Sequence, residues 1–187
     1  MVTLIIARHC ESTWNVAGKL AGQTDKAVLT SKGKSQALEI ASKFEKYNIN
    51  SIYSSGLKRS IQTAEVLAKY LGKTIIKDSR FNERSWGKLE GRLDSEIRKE
   101  LENRFTFTPP AGESFSDFEK RIVRALLNIL RDRKVILVIS HGGVKEVFEM
   151  LQKQFNESFK SESIEDFAVI VTGKYKAMME WLQKSYN

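Results

Sequence analysis

Cysteine and long apolar runs are the features that this sequence most lacks. Cys10 is the one cysteine among 187 residues, which excludes an internal disulfide framework and is typical of a reducing compartment. No run approaches the ~20 apolar residues that span a membrane. The N-terminal run at 2–7 is too short for the apolar part of a signal peptide, and Arg8 follows it at once. We therefore expect a soluble, cytoplasmic protein with no membrane partner.

Proline is scarce too. The two prolines are adjacent, Pro109-Pro110, in a segment that the pattern predicts to be a loop. No internal repeat, low-complexity tract or linker divides the chain. A chain of this length can bury roughly 70% of the surface that its unfolded form exposes. We therefore expect a single domain over 1–187.

Acidic residues are outnumbered, 23 against 31 basic ones, so the net charge is +8. An excess of positive charge favours anionic partners such as phosphorylated metabolites, nucleic acid or a membrane surface. The lysines are spread along the chain without a run of like charges, and no basic stripe is interleaved with aromatic residues as in single-strand binders. Nucleic acid is therefore the less favoured partner.

Short β-branched apolar segments alternate with segments of helical apolar spacing. Strands are predicted at 2–7, 51–54, 74–77 and 135–140. Helices are predicted from an N-cap at Thr30 to about 48, then at 61–71, 94–103, 115–130 and 142–152, and a hairpin at 166–171 and 175–182. The alternation predicts an α/β fold, a three-layer sandwich with a mainly parallel central sheet flanked by helices.

Both histidines of the chain follow buried strands. His9 comes two residues after the first strand and His141 directly after 135–140. Ligands of open α/β sheets bind at the carboxyl ends of the strands, so both imidazoles are expected at the site. Arg8 precedes His9, and Arg59 lies in the first turn of a helix, where an anion is favoured. A histidine in such a cationic pocket suits a phosphoryl group.

Two other chemistries compete for these residues. A thiol phosphatase loop needs an Arg six residues after its Cys, and that position here is Val16. Cys10 is therefore not expected to be a nucleophile. The nearby Arg8 favours partial ionisation of its thiol. A metal site could use His9, His141 and a carboxylate. Two arginines in the same place would repel a divalent cation, so we expect neither a metal nor another cofactor.

Short motifs run in order from the first strand to His141. They are Arg8-His9-Cys10; Leu29-Thr30 with Gly33 and Gln36-Ala37; Tyr53-Ser54-Ser55 with Arg59 and Gln62-Thr63-Ala64; Glu83 with Gly87 and Glu90-Gly91; Gly112-Glu113-Ser114; and Ser140-His141-Gly142-Gly143. This set resembles the histidine phosphatase superfamily. Within it, the set is similar to the phosphoglycerate mutase-like branch, which includes broad-specificity phosphatases and alpha-ribazole phosphatase.

The resemblance implies a phosphoglycerate mutase-like fold and a phosphohistidine mechanism. His9 is then the nucleophile, and Glu83 protonates the leaving oxygen and later takes a proton from water. The alternative for Glu83 is a surface carboxylate paired with Arg84, and the motif context favours the proton donor. The residues implied to hold the phosphoryl oxygens are Arg8, Arg59, His141, Asn15 and Gly142.

Cys10 departs from the family pattern, which usually has Gly after the Arg-His pair. A side chain at this position fits only if the backbone does not need a positive φ.

The resemblance leaves a phosphatase and a mutase open. A mutase needs a closing lid and extra cations, whereas the lid segment here, around 84–116, looks short and lacks the adjacent Arg pair of resembling mutases. We therefore expect a metal-independent phosphatase acting on a small phosphorylated metabolite, as a monomer or homodimer. The alternatives are a phosphoglycerate mutase, and a non-catalytic domain that binds a phospho-ligand or nucleic acid.

Overall fold

The computed structural model describes residues 1–132, 134–153, 159–164 and 167–186. Six strands form one sheet: β1 (Val2–Arg8), β2 (Ser51–Ser54), β3 (Ile75–Lys77), β4 (Val135–Ser140), β5 (Phe159–Ile164) and β6 (Ala168–Gly173). The α-helices are α1 (Thr13–Val16), α2 (Ser31–Phe44), α3 (Lys58–Leu71), α4 (Arg98–Glu102), α5 (Phe115–Ile129), α6 (Gly142–Gln152) and α7 (Tyr175–Tyr186). Short 3₁₀ helices lie at Glu45–Tyr47, Ser79–Phe81, Gly87–Leu89 and Leu130–Asp132.

The sheet has the strand order β3-β2-β4-β1-β6-β5. The strands β1, β4, β2 and β3 run parallel to one another, whereas β6 is antiparallel to β1 and β5 is antiparallel to β6. The predicted mainly parallel sheet is confirmed. β1 lies beside β4, in a register that pairs Arg8 with Ser140. The two segments that follow these strands therefore start side by side.

Apolar side chains cover both faces of the sheet, because successive residues of a strand point to opposite sides. One face packs against α5, α6 and α7, and the other against α2 and α3. This confirms the predicted three layers. On the first face lie Val2, Leu4, Ile6, Ile136, Val138, Val169 and Val171, and on the second Ile5, Ala7, Leu137, Ile139, Ala168 and Ile170.

Local signals set the ends of the main helices. The Thr30 hydroxyl accepts a hydrogen bond from the Gly33 N–H at 2.9 Å, which confirms the predicted N-cap of α2. Ser114 caps α5 in the same way by accepting from the Asp117 N–H. Gly72 ends α3 with φ 63°, a conformation that glycine adopts without strain.

The predicted C-terminal hairpin is wrong. Residues 175–186 form a helix, and the hairpin joins β5 to β6; position 166 of the predicted strand lies outside the described residues. Met178, Trp181 and Leu182 are buried at helical spacing, and the helix packs against the same core as α5. Among the described residues, no helix is long and apolar enough to cross a membrane.

Candidate active site

The two histidines meet at the carboxyl ends of β1 and β4. The backbone N–H of His9 donates to the Ser140 carbonyl at 2.8 Å, so the two chain segments that follow these strands are hydrogen-bonded to each other. The ring centroids of His9 and His141 lie 5.3 Å apart with the rings edge-to-face. The fold therefore brings together the two imidazoles that the strand positions predicted to be neighbours.

His9 has a defined tautomer. Its Nδ1 lies 2.8 Å from the Cys10 carbonyl oxygen, which only accepts, so Nδ1 carries the hydrogen and Nε2 bears the lone pair. The Arg59 Nε–H donates to that Nε2 at 3.1 Å. Burial, reinforced by the charge of Arg59, lowers the pKa of His9 to about 3. The ring is therefore neutral at neutral pH, with its nucleophilic nitrogen facing a guanidinium group.

Arg59 is a buried cation in the first turn of α3, and its side chain is 1% exposed. Besides the contact with His9, its guanidinium donates to the Gly22 carbonyl at 2.7 Å and the Thr24 carbonyl at 3.0 Å. These bonds tie the loop at 22–24 to the histidine. An arginine fixed in this way presents its charge to an anion without reorganisation.

His141 has one nitrogen engaged and one without a partner. Its Nε2 lies 2.7 Å from the Ser55 hydroxyl, which also accepts a bond from the Leu57 N–H at 3.3 Å. When the Ser55 hydroxyl donates to Nε2, Nδ1 carries the ring hydrogen and is a donor. Nδ1 is buried and has no hydrogen-bond partner within the described part of the chain. Burial and then Arg59 lower the pKa of His141 well below its usual value.

Arg8 and Asn15 line an open pocket of about 440 Å³ together with His9. Both side chains are exposed. Asn15 Oδ1 accepts from the backbone N–H and the hydroxyl of Ser12, at 3.0 and 2.7 Å, so the amide nitrogen is the end that can donate to an anion. Gly142 faces Arg8, since a Cβ built on it would lie 3.7 Å from the Arg8 Nε. Glu11 and Glu39 also line this pocket, whereas Arg59 and His141 do not, so the pocket adjoins the histidine pair at Arg8 and His9.

Glu83 is held against the start of α6. Its carboxylate accepts from the Arg84 N–H at 2.8 Å and from the Gly143 N–H at 3.0 Å. A Cβ on Gly143 would lie 2.3 Å from the Glu83 Oε1, so glycine is needed for this approach. The alternative of a surface ion pair with Arg84 is wrong, because the Arg84 guanidinium donates to three carbonyl oxygens instead.

Arg121 supports the segment that carries Glu83, and the sequence analysis did not identify it. Its guanidinium donates to the Arg80 carbonyl at 2.7 Å and the Asn82 carbonyl at 3.0 Å, and it forms an ion pair with Glu113. The Gln23 amide adds a bond to the Glu83 carbonyl at 2.9 Å. In the sequence, Arg121 is one polar residue of an amphipathic helix, so no signal separated it from a solvated arginine.

Cys10 is a buried packing residue. Its side chain lies in the apolar cluster under α2 and α3 and is 4% exposed. Burial raises the pKa of the thiol to about 12, so the partial ionisation expected from the neighbouring Arg8 is wrong. The backbone there has no positive φ, which in the described non-glycine residues occurs at Asn48 and Ala111 alone. A side chain therefore fits where the family usually has glycine.

In the part of the chain that the structure describes, no three His, Cys, Asp or Glu side chains come together to hold a metal ion.

Acid should destabilise the fold through His9. The pKa of His9 is about 3 in the native protein, against 6.5 for an unperturbed histidine in the unfolded chain. Between these two pH values the unfolded chain binds more protons than the native protein, so the free energy of unfolding decreases as the pH is lowered. From pH 7 to pH 5, the free energy of unfolding should drop by about 2 kcal/mol more in the wild type than in His9→Asn. Urea titrations at both pH values measure this; equal drops would contradict the neutral, buried ring.

Comparisons with known proteins agree on the family to which this chain is similar. A model described as the histidine phosphatase superfamily (branch 1) matches residues 4–171. The chain is 35% identical over 153 residues to a protein named probable phosphoglycerate mutase GpmB from Escherichia coli O1:K1 / APEC, covering 76% of this chain and 70% of that protein.

Solved structures agree with the fold. A mycobacterial glucosyl-3-phosphoglycerate phosphatase superposes with a TM-score of 0.71 and 27% identity, covering 82% of this chain and 80% of that one. A phosphoserine phosphatase from Entamoeba histolytica, in complex with 3-phosphoglyceric acid, gives a TM-score of 0.72 and 30% identity, covering 82% and 81%.

Proposed function

The chain belongs to branch 1 of the histidine phosphatase superfamily, and from this premise we propose that it hydrolyses small phosphomonoesters through a phosphohistidine on His9, without a metal. The phosphatase class itself follows from the family and from the two phosphatase structures. The single domain over 1–187, its lid at 84–116, a cytoplasmic location and a monomeric or homodimeric assembly are parts of the proposal.

The observation that carries the proposal is the state of His9. Its Nδ1–H is fixed on the Cys10 carbonyl, its Nε2 lone pair faces Arg59, and the low pKa keeps the ring unprotonated. A neutral imidazole with one unprotonated nitrogen, held beside a guanidinium group, is what attack on a phosphorus atom requires.

In the first step, His9 Nε2 forms a bond to phosphorus as the bond from phosphorus to the ester oxygen breaks. The Arg59 Nε–H keeps its hydrogen and changes its hydrogen-bond acceptor from His9 Nε2 to a phosphoryl oxygen. Arg8, the His141 Nδ1–H and the Asn15 amide bind the others, and Gly142 leaves room for the group to approach. Glu83, protonated at this stage, gives its proton to the leaving oxygen, because an alkoxide is a poor leaving group.

In the second step, water replaces the departed alcohol. The Glu83 carboxylate takes a proton from the water, whose oxygen bonds to phosphorus as the bond from phosphorus to Nε2 breaks. Inorganic phosphate leaves, and His9 and Glu83 return to their starting states. The backbone N–H groups of Arg84 and Gly143 hold the carboxylate in place for both transfers.

Mutase activity is the second candidate, because curated relatives carry the name probable phosphoglycerate mutase. A mutase retains the monophosphate product while the phosphoryl group returns to a different oxygen. Its product from 3-phosphoglycerate is the isomer, whereas hydrolysis releases inorganic phosphate.

Trapping the intermediate tests the proposal. Wild-type protein mixed with radiolabelled phosphomonoester in the presence of a chelator should release inorganic phosphate and, after an alkaline quench, retain label that acid removes. Loss of turnover in the chelator would contradict metal independence, and an acid-stable label would contradict a phosphohistidine. Conversion of 3-phosphoglycerate to its isomer without phosphate release would favour the mutase, and phosphate binding without turnover a binding domain.

A further inference from the structure

Glu83 lines a second pocket, which shares no lining residue with the open pocket of His9. It has a volume of about 150 Å³, and Gly143 lines it together with Glu83. Aromatic rings form its walls: Trp86, 6% exposed, Phe118, 1% exposed, and the half-buried Phe115. An apolar cavity of about 150 Å³ is large enough for a benzene ring.

Arg84 borders this pocket and is held by the protein backbone. Its guanidinium donates to the carbonyls of Glu113 and Phe107 at 2.8 and 2.6 Å, and to the Arg104 carbonyl. The residue is 2% exposed and stacks on the Trp86 ring at 4.8 Å. These bonds use three of its five N–H groups, connect it to the 104–113 segment and fix it against the aromatic wall.

Arg104, the other cation of the pocket, is neutralised by Glu146. Its Nη2 lies 2.5 Å from the Glu146 carboxylate, and its Nε is 3.1 and 3.2 Å from the two oxygens. The guanidinium also stacks on Phe105 at 4.5 Å. A bidentate pair of this kind is geometrically specific and holds both side chains in one orientation.

A carboxylate entering this pocket would meet no net positive charge. The two cations, Arg84 and Arg104, are matched by two carboxylates that line the same pocket, Glu83 and Glu146, and the Gly143 N–H is taken by Glu83. A further negative charge would lose its hydration there without an excess of positive charge to compensate, whereas an uncharged ring would contact three aromatic side chains.

The geometry points to this pocket as the leaving-group subsite, which selects uncharged, aromatic or apolar alcohols and rejects carboxylate-bearing ones such as phosphoglycerate. The inference rests on the proposed function, because Glu83 protonates the leaving oxygen and the group attached to that oxygen must lie beside it. It sets this chain apart from relatives whose names specify phosphoglycerates.

Benzyl phosphate and 4-carboxybenzyl phosphate form a matched test pair, since they differ only in the carboxylate. The wild-type kcat/KM should be at least about tenfold higher for benzyl phosphate, the range that pocket contacts give. 3-Phosphoglycerate should be the poorest of the three substrates.

The Glu146→Gln variant should narrow the preference for benzyl phosphate by about tenfold, because Arg104 becomes free to meet the carboxylate. Adding Arg104→Gln to that variant should restore the wild-type ratio, which a general disturbance of the pocket would not do. Glu149→Gln is the matched control: Glu149 is on the same helix, pairs with Lys145 and does not line the pocket, so its ratio should equal the wild-type ratio. The ratio of kcat/KM for the two esters, measured on one preparation of a variant, does not depend on the fraction of that protein that is active.

Failure of the inference and failure of the proposed function give different results. Hydrolysis of both esters through an acid-labile phosphoenzyme, with 4-carboxybenzyl phosphate equal or preferred, would overturn the subsite and leave the phosphatase mechanism intact. An unchanged ratio in Glu146→Gln would overturn the role of the Arg104–Glu146 pair. Absence of turnover with every ester would overturn both proposals.

Discussion

Replacing His9 with Asn should lower kcat by at least about 10⁴-fold and abolish the acid-labile phosphoenzyme. Asparagine can still donate a hydrogen bond to the Cys10 carbonyl, as Nδ1 does at 2.8 Å, but it has no nucleophilic nitrogen at the position of Nε2. The variant should still bind vanadate or phosphate, because Arg8, Arg59 and His141 are unchanged. Steady-state release of phosphate from benzyl phosphate and radiolabel trapping measure the loss.

The adjacent residue gives the matched control for this variant. Cys10→Ala removes the thiol, which is buried and protonated, and should leave kcat within a few-fold of the wild type at a modest loss of packing energy. Turnover that persists in His9→Asn and disappears in Cys10→Ala would make the thiol the nucleophile and contradict the mechanism. Loss of phosphate binding in His9→Asn would instead indicate a collapsed site.

The sheet could be predicted because its central strands are buried on both faces. Continuous β-branched runs such as those of β1 and β4 have few alternatives in a soluble chain. The segment of α7 was harder to predict, since aromatic residues such as Tyr175 and Trp181 are common in strands and Thr172-Gly173-Lys174 resembles a turn. The packing against the α5 face, which is a tertiary effect, decides in favour of the helix.

The pair of histidines could be predicted because both follow strands of a parallel sheet, and strand ends converge. The hydrogen bond between His141 and Ser55 could not be predicted, since Ser55 is 86 positions away in the chain and the contact depends on side-chain direction. The bonds of Arg84 and Arg121 to backbone carbonyls are unpredictable for the same reason. The sequence alone does not show whether an arginine contacts a ligand or hydrogen-bonds to the backbone of a loop.

Cys10 shows how a local argument fails when burial competes with a neighbouring charge. Arg8, two positions before it in the chain, favours a thiolate, but β1 ends at Arg8 and Cys10 lies beyond the strand, where strand alternation no longer sets the side-chain direction. Arg8 is exposed and Cys10 is buried against α2 and α3. Desolvation therefore decides the pKa of the thiol, and the resulting value of about 12 lies far above neutral pH.

Glu83→Gln should slow benzyl phosphate turnover by about 10²–10⁴-fold, the usual contribution of a positioned general acid–base group. The amide cannot give a proton to the leaving oxygen or take one from water. 4-Nitrophenyl phosphate needs no acid, because nitrophenolate leaves unaided, so His9 should still become phosphorylated by it. Stopped-flow mixing should then show a burst of nitrophenolate equal to the enzyme concentration, followed by slow turnover limited by hydrolysis of the phosphoenzyme.

The nitrophenolate burst distinguishes loss of the proton donor from distortion of the active site. Gln at this position keeps one oxygen for the two N–H groups of Arg84 and Gly143, so some displacement of the side chain is expected. Displacement alone would slow both esters to a similar degree and give no burst, whereas loss of acid–base chemistry slows phosphorylation by benzyl phosphate and spares phosphorylation by the nitrophenyl ester. Equal losses would assign Glu83 to positioning, and the proton would then have to come from another group within reach of the leaving oxygen.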